Sequence, residues 1–209
     1  TLELINTKGR EELESDLKQT PKNLAEMKTW AKSKDAKKQK EAAFWLPYWQ
    51  GIWASLPKIR LCLPELTFKD QLTFHGTRRI AQIIAVGGGH TESDCVLFLP
   101  QERVVFCGDL LFVGFHPYLG DGDAESLLSI LDRLENLKAK IYVPGHGTVG
   151  RKEDLDKMRL YIRALMQQVK EAVAQSKTVE DAVNQPIPKP FAHWIFASFY
   201  ESNLRFLYN

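Results

Sequence analysis

Apolar positions along this chain follow two periods, and each predicts a different kind of element. Over residues 8–40, Leu13, Leu17, Leu24, Met27 and Trp30 recur at mostly helical intervals in a charge-rich background, with Thr20-Pro21 as a break or a new helix start. Between residues 61 and 150 the pattern changes to short runs rich in Val, Ile and aromatics. Residues 66–68 and 72–74 predict a hairpin around Lys69-Asp70-Gln71, and residues 80–86, 95–99, 103–107 and 141–143 predict buried strands. Helical spacing returns in residues 124–137, where Leu127, Leu128, Leu131, Leu134 and Leu137 share one face. Residues 151–176, 178–184 and 191–208 predict further helices, the last after a connector made rigid by Pro186, Pro188 and Pro190.

The order strand, helix, strand around residues 103–143 predicts a βαβ unit and the α/β (α+β) class. A chain of 209 residues with 44% hydrophobic residues is enough for one sizeable core. The expectation is a single domain over 1–209, with a helical segment at 1–57, the sheet at 61–150 and C-terminal helices at 151–209.

Three of the predicted strands end in glycine followed by a metal-type ligand. Val86 leads into Gly87-Gly88-Gly89-His90, Cys107 into Gly108-Asp109, and Val143-Pro144 into Gly145-His146-Gly147. Glycine lets a strand end turn and approach a ligand closely, and strand ends are rigid enough to hold donors at coordination spacing. Imidazole and carboxylate are donors of hydrolytic zinc sites. His90, Asp109 and His146 are therefore the candidate metal set, presented from one sheet edge.

Gly89-His90-Thr91-Glu92-Ser93-Asp94, Phe106-Cys107-Gly108-Asp109-Leu110-Leu111-Phe112 and Val143-Pro144-Gly145-His146-Gly147 resemble, in order and strand context, the later metal motifs of the metallo-β-lactamase superfamily. The resemblance covers about residues 66–151 and implies an αβ/βα sandwich, here incomplete at the N-terminus, with two zinc ions at the sheet edge. It implies that His90 serves the first zinc, His146 the second, and Asp109 bridges both as the catalytic carboxylate. It gives Asp94 a hydrogen-bonding role beneath the ligands, and makes His116, Tyr118, Asp121 and Asp123, in residues 110–123 read as a loop, candidates for substrate contact. Asp123 also suits a helix cap.

The family's first motif, His-x-His-x-Asp-His, does not occur in these residues, so each zinc position keeps one histidine and a shared aspartate, and zinc binding by this chain alone is expected to be weak or absent. The chain opens at Thr1 in a polar helical segment, which fits the C-terminal portion of a longer protein whose first motif was cleaved, omitted or lost. With the missing ligands supplied, the resemblance implies a hydrolase of an ester, thioester or lactone class, the Phe106–Phe112 run being similar to glyoxalase II-like thioesterases. The competing reading is a metal-poor, inactive relative that binds or oligomerises through Trp45, Trp49 and Trp53, four residues apart in an uncharged stretch that Pro47 and Gly51 would interrupt or kink.

Charge narrows the partners. With 28 basic and 26 acidic residues, nothing draws in nucleic acid or an anionic membrane, and a small-molecule substrate is expected. Cys62, Cys95 and Cys107 lie in or beside apolar runs and are read as reduced core thiols of a cytoplasmic protein. No run is long and apolar enough for a spanning helix.

Overall fold

The computed structural model of the chain describes residues 2–208, with side chains from residue 6 onward. It forms two compact units, Thr1–Thr67 and Phe68–Asn209.

The first unit is a pair of helices, α1 (Leu2–Trp30) and α2 (Ala36–Ser55), closed by a short 3-10 turn at Leu56–Lys58. Asp35 starts α2 by accepting the Lys37 N–H at 2.8 Å. The break expected at Thr20-Pro21 does not occur, because α1 runs through Pro21 and the burial of Leu24 and Met27 continues beyond it. Pro47 and Gly51 likewise lie within an unbroken α2. The aromatic stretch is partly open: Phe44, Tyr48 and Trp53 are exposed, while Trp45 and Trp49 are half-buried in an edge-to-face series with Phe44 and Tyr48.

The second unit is built on one mixed sheet in the order β1-β2-β3-β4-β5, comprising β1 (Gln71–His75), β2 (Ile80–Gly87), β3 (Asp94–Leu99), β4 (Val104–Val113) and β5 (Ile141–Gly147). The first four strands are antiparallel neighbours, and β5 lies parallel to β4 after the crossover helix α3 (Ala124–Asn136). The hairpin expected around 69–71 is replaced by β1 pairing with β2. Asp70 takes the Ala85 N–H at 2.8 Å and so extends that ladder, which leaves Leu66 and Phe68 exposed outside any strand.

Strand β4 is twice the expected length. Leu110, Leu111 and Phe112 are buried and continue the strand past Asp109, so the loop expected from residue 110 begins only at Gly114. Side chains of Val96, Phe98, Val105 and Tyr142 point to one face of the sheet, where they meet Leu127, Leu131 and Leu134 of α3 and Leu155, Met158 and Ile162 of α4 (Lys152–Ala174) in one core. The opposite face is also apolar: Leu72, Ile83, Leu97, Phe106 and Val143 stand in register across all five strands, with Phe106 exposed.

Two short elements finish the chain, α5 (Val179–Val183) and α6 (Ala197–Tyr208). Helix α6 begins later than the expected residue 191. The Ile195 N–H goes to the Gly114 carbonyl and its carbonyl takes the His116 N–H, and Phe196 adopts a left-handed φ of 67°, so the backbone there cannot be helical. Of the three cysteines expected in the core, only Cys107 is buried, since Cys95 lies on the open face and Cys62 in an irregular segment. Among the described residues no helix is long and apolar enough to cross a membrane.

Arg159 of α4 locks that helix to α3. Its buried guanidinium donates to Asp132, Glu135, Asp156 and the Leu131 carbonyl at 2.7–2.9 Å. Arg159→Ala is expected to destabilise this unit by about 3 kcal/mol, with Lys recovering less than half because an ammonium cannot reproduce the fork. Urea unfolding checks this, and a loss below about 0.5 kcal/mol would place Arg159 among ordinary surface pairs.

Candidate metal centre

The turn after β2, the middle of β4 and the end of β5 bring His90, Asp109 and His146 to one place. The His90 turn is held by Asp94, the first residue of β3, whose carboxylate accepts the N–H groups of Gly89, His90 and Thr91 at 2.7–3.0 Å and the Thr91 hydroxyl at 2.6 Å. These bonds fix the loop backbone from below.

Asp109 reaches the site because Gly108 turns β4 through a left-handed φ of 56° and because Gly145 lies against it. A β-carbon at residue 145 would collide with the Asp109 Oδ1 atom and approach the Gly108 carbonyl carbon to 2.8 Å. Glycine at 145 is thus a packing requirement of the carboxylate.

The carboxylate stands between the two imidazoles. His90 Nε2 lies 3.5 Å from Asp109 Oδ2, and His146 Nε2 lies 3.6 Å from Asp109 Oδ1. Two donors each about 2.1 Å from one tetrahedral zinc stand about 3.4 Å apart, so each oxygen–imidazole pair has the spacing of a shared ion. The three residues make two half-sets: among the described residues no group of three or more His, Cys, Asp or Glu side chains is arranged to hold one ion. Imidazole and carboxylate are zinc donors, but each oxygen–imidazole pair offers two protein ligands, below the three of a catalytic zinc site.

Aromatic rings enclose the His146 side. Phe112 stacks on His146 at 4.9 Å between centroids with the rings 13° from parallel, and Phe115 and Phe196 flank it at 6.2 and 6.3 Å. Phe196 also meets Phe115 and Phe199, and Phe199 meets Tyr118. Sequence reading missed Phe115, Phe196 and Phe199, because the last two reach the site only through the bridge between Ile195 and Phe115.

Residues expected to touch substrate take different places. Tyr118 is at the site, where its carbonyl lies 3.1 Å from His90 Nδ1 and its ring is partly exposed. Asp121 is exposed in the turn before α3. Asp123 caps α3, its carboxylate accepting the Ser126 N–H and its own N–H donating to the Gly89 carbonyl at 3.0 Å, so its side chain is committed to the helix. His116 is corrected outright: it is fully buried among Tyr161, Trp194 and Tyr200 and cannot meet substrate. The Ile195 carbonyl draws the His116 backbone inward, and the apolar surroundings suit a neutral ring.

A superfamily profile places this arrangement among known proteins. The profile of the metallo-beta-lactamase superfamily matches residues 23–146. The chain belongs to the metallo-beta-lactamase superfamily. It is similar to a metallo-beta-lactamase type 2 of Bacteroides fragilis, 33% identical over 98 residues that cover 44% of this chain and 39% of that protein. It is also similar to a hydroxyacylglutathione hydrolase of Synechococcus sp. (strain JA-3-3Ab), 36% identical over 73 residues that cover 35% of this chain and 28% of that one. The chain thus spans well under half the length of either relative. Among solved structures, a metallo-beta-lactamase from Pontibacter korlensis matches at 31% identity and TM-score 0.45, over 49% of this chain and 50% of that one. A sec-alkylsulfatase from Pseudomonas sp. shares the fold at TM-score 0.53 and 16% identity, over 70% of this chain and 26% of that one. The superfamily and the mixed α/β fold expected from the motifs are both as observed.

Burial pushes the His116 imidazole down to about 4, helped by the charge of His193, while the Phe191 backbone pulls weakly the other way. Because the folded value lies below the ordinary 6.5, neutral His116 stabilises the fold fully above that pH, and the contribution is lost as pH falls from 6.5 towards 4. His116→Phe is expected to remove up to about 3 kcal/mol of this pH dependence, read as a flatter plot of unfolding free energy against pH, and an unchanged slope would contradict it. Gly145→Ala is expected to cost about 2 kcal/mol by displacing Asp109, visible as a lower urea midpoint.

Proposed function

We propose that this chain carries half of the metal site of a zinc-dependent hydrolase, with Asp109 as the shared ligand, His90 completing its part of one position and His146 its part of the other. The observation that carries this reading is the single carboxylate with one imidazole at each oxygen, at 3.5 and 3.6 Å. When bound, zinc supplies a water of lowered pKa and an electrophile for the substrate oxygen. The chain's own residues do the positioning. Asp94 fixes the His90 turn, Gly145 admits the carboxylate, and Phe112 holds the His146 ring by stacking.

The flank of Phe115, Phe196 and Phe199 supports a substrate with an apolar group beside the reacting bond. An ester or thioester is favoured, in keeping with the similarity to a hydroxyacylglutathione hydrolase. As a second reading, the exposed Phe44, Tyr48 and Trp53 of α2 favour a contact role for that helix, including self-association with Trp45 and Trp49.

Zinc titration of the chain against a competing chromophoric chelator tests the assignment. Asp109→Asn is expected to weaken both ions by at least about tenfold, and His90→Ala or His146→Ala one ion each. Zinc affinity unchanged by Asp109→Asn would overturn the site. In a protein containing the missing ligands, the same three variants are expected to abolish hydrolysis of an aryl thioester.

A further inference from the structure

Helix α6 lies at the end of the second unit, and one of its side chains governs a backbone carbonyl at the metal face. Asn203 is fully buried. Its Nδ2 donates to the Pro117 carbonyl at 2.7 Å and its Oδ1 accepts the Leu119 N–H at 2.9 Å. Both partners flank Tyr118, so one planar amide grips the chain on either side of that residue. The carbonyl of Tyr118 between them lies 3.1 Å from His90 Nδ1.

A carbonyl can only accept, so this bond requires the proton on His90 Nδ1, and in the neutral ring Nε2 is then unprotonated, its lone pair available to a metal on the Asp109 side. A buried amide holding two backbone groups in fixed geometry therefore selects the tautomer of a ring that is distant in sequence. We propose that Asn203 is a positioning residue for His90, acting through the Tyr118 carbonyl.

The surrounding network explains why Asn203 is oriented one way. Its Nδ2 also donates to the Tyr161 hydroxyl at 3.3 Å, which directs the hydroxyl proton to His116 Nδ1 at 3.1 Å. His116 then carries its proton on Nε2, with the Phe191 backbone as its nearby polar group. His116 thus belongs to the scaffold of the loop. The value of this device to catalysis rests on His90 being a zinc ligand, but the device itself is measurable without metal.

The test is nitrogen NMR of the histidine rings in the full metal-free chain, at alkaline pH where imidazoles are neutral. In wild type, His90 is expected to be dominantly the Nδ1–H form, and the Leu119 amide to be protected from solvent exchange. Asn203→Asp keeps the acceptor for Leu119 but loses the donor to Pro117, and Asn203→Ala loses both. Either variant is expected to shift the His90 ring nitrogens towards a tautomer mixture while the His146 ring and the amides held by Asp94 keep their positions. Tyr161→Phe spares both loop bonds and is expected to leave His90 unmoved. The proposal is overturned by His90 signals that stay fixed in the Asn203 variants, or that move as far in Tyr161→Phe. Should neither Asn203 variant fold, an unprotected Leu119 amide or a dominant Nε2–H form of His90 in wild type overturns it alone. Failure of the metal-site reading would instead appear as unchanged zinc affinity in Asp109→Asn, with these ring signals unaffected.

Discussion

The close approach of Gly145 to Asp109 is the constraint on which the site depends. Strands β4 and β5 run parallel, and at most residue types a β-carbon on β5 would occupy the space of the carboxylate on β4. Glycine removes that atom and lets the acidic group of β4 stand between the imidazoles of His90 and His146. Parallel pairing requires a crossover, and α3 provides it. The cap of that helix, Asp123, returns a hydrogen bond to the Gly89 carbonyl beside His90. The sheet, the crossover and the ligand turn are thus one mechanical unit.

The same strands explain the two-sided character of the sheet. Parallel and central strands with apolar residues on both sides are those covered on both faces, and continuous rather than alternating apolar runs are their signature. One face here is closed by α3 and α4, whereas the row from Leu72 to Val143 is apolar and partly open. The stability of this unit comes mainly from the closed side, where Arg159 and the Lys152–Glu135 pair add charged locks between α3 and α4 above their aliphatic contacts.

Much of the site was legible because its information is local. Glycine before a candidate ligand is a short-range signal, and it singled out His90, Asp109 and His146, which the fold brings together, while Asp94 came from the family resemblance at Gly-His-Thr. The βαβ unit followed from leucine spacing in α3. What was not legible depends on long-range pairing. The strand partner of β1 is set by its full register with β2, the length of β4 by burial of Leu110–Phe112, and the start of α6 by a bridge to Phe115. His116 is the instructive case: it lies in the residues after the motif aspartate, which the family resemblance put beside the substrate. Contacts with Tyr161 and Tyr200, from helices far along the chain, put it in the core. Proline misled for a related reason, since α1 and α2 carry through Pro21 and Pro47 where local propensity predicts a stop.

Function in this chain turns on whether one carboxylate joins two metal positions. The most direct measurement is a zinc titration of the wild-type chain followed by the ring signals of its histidines. Shared ligation by Asp109 predicts that His90 and His146 both shift as zinc is added, while His75, His116 and His193 stay fixed. Shifts confined to the exposed His75 and His193, or to one of the two strand-end histidines alone, would contradict it.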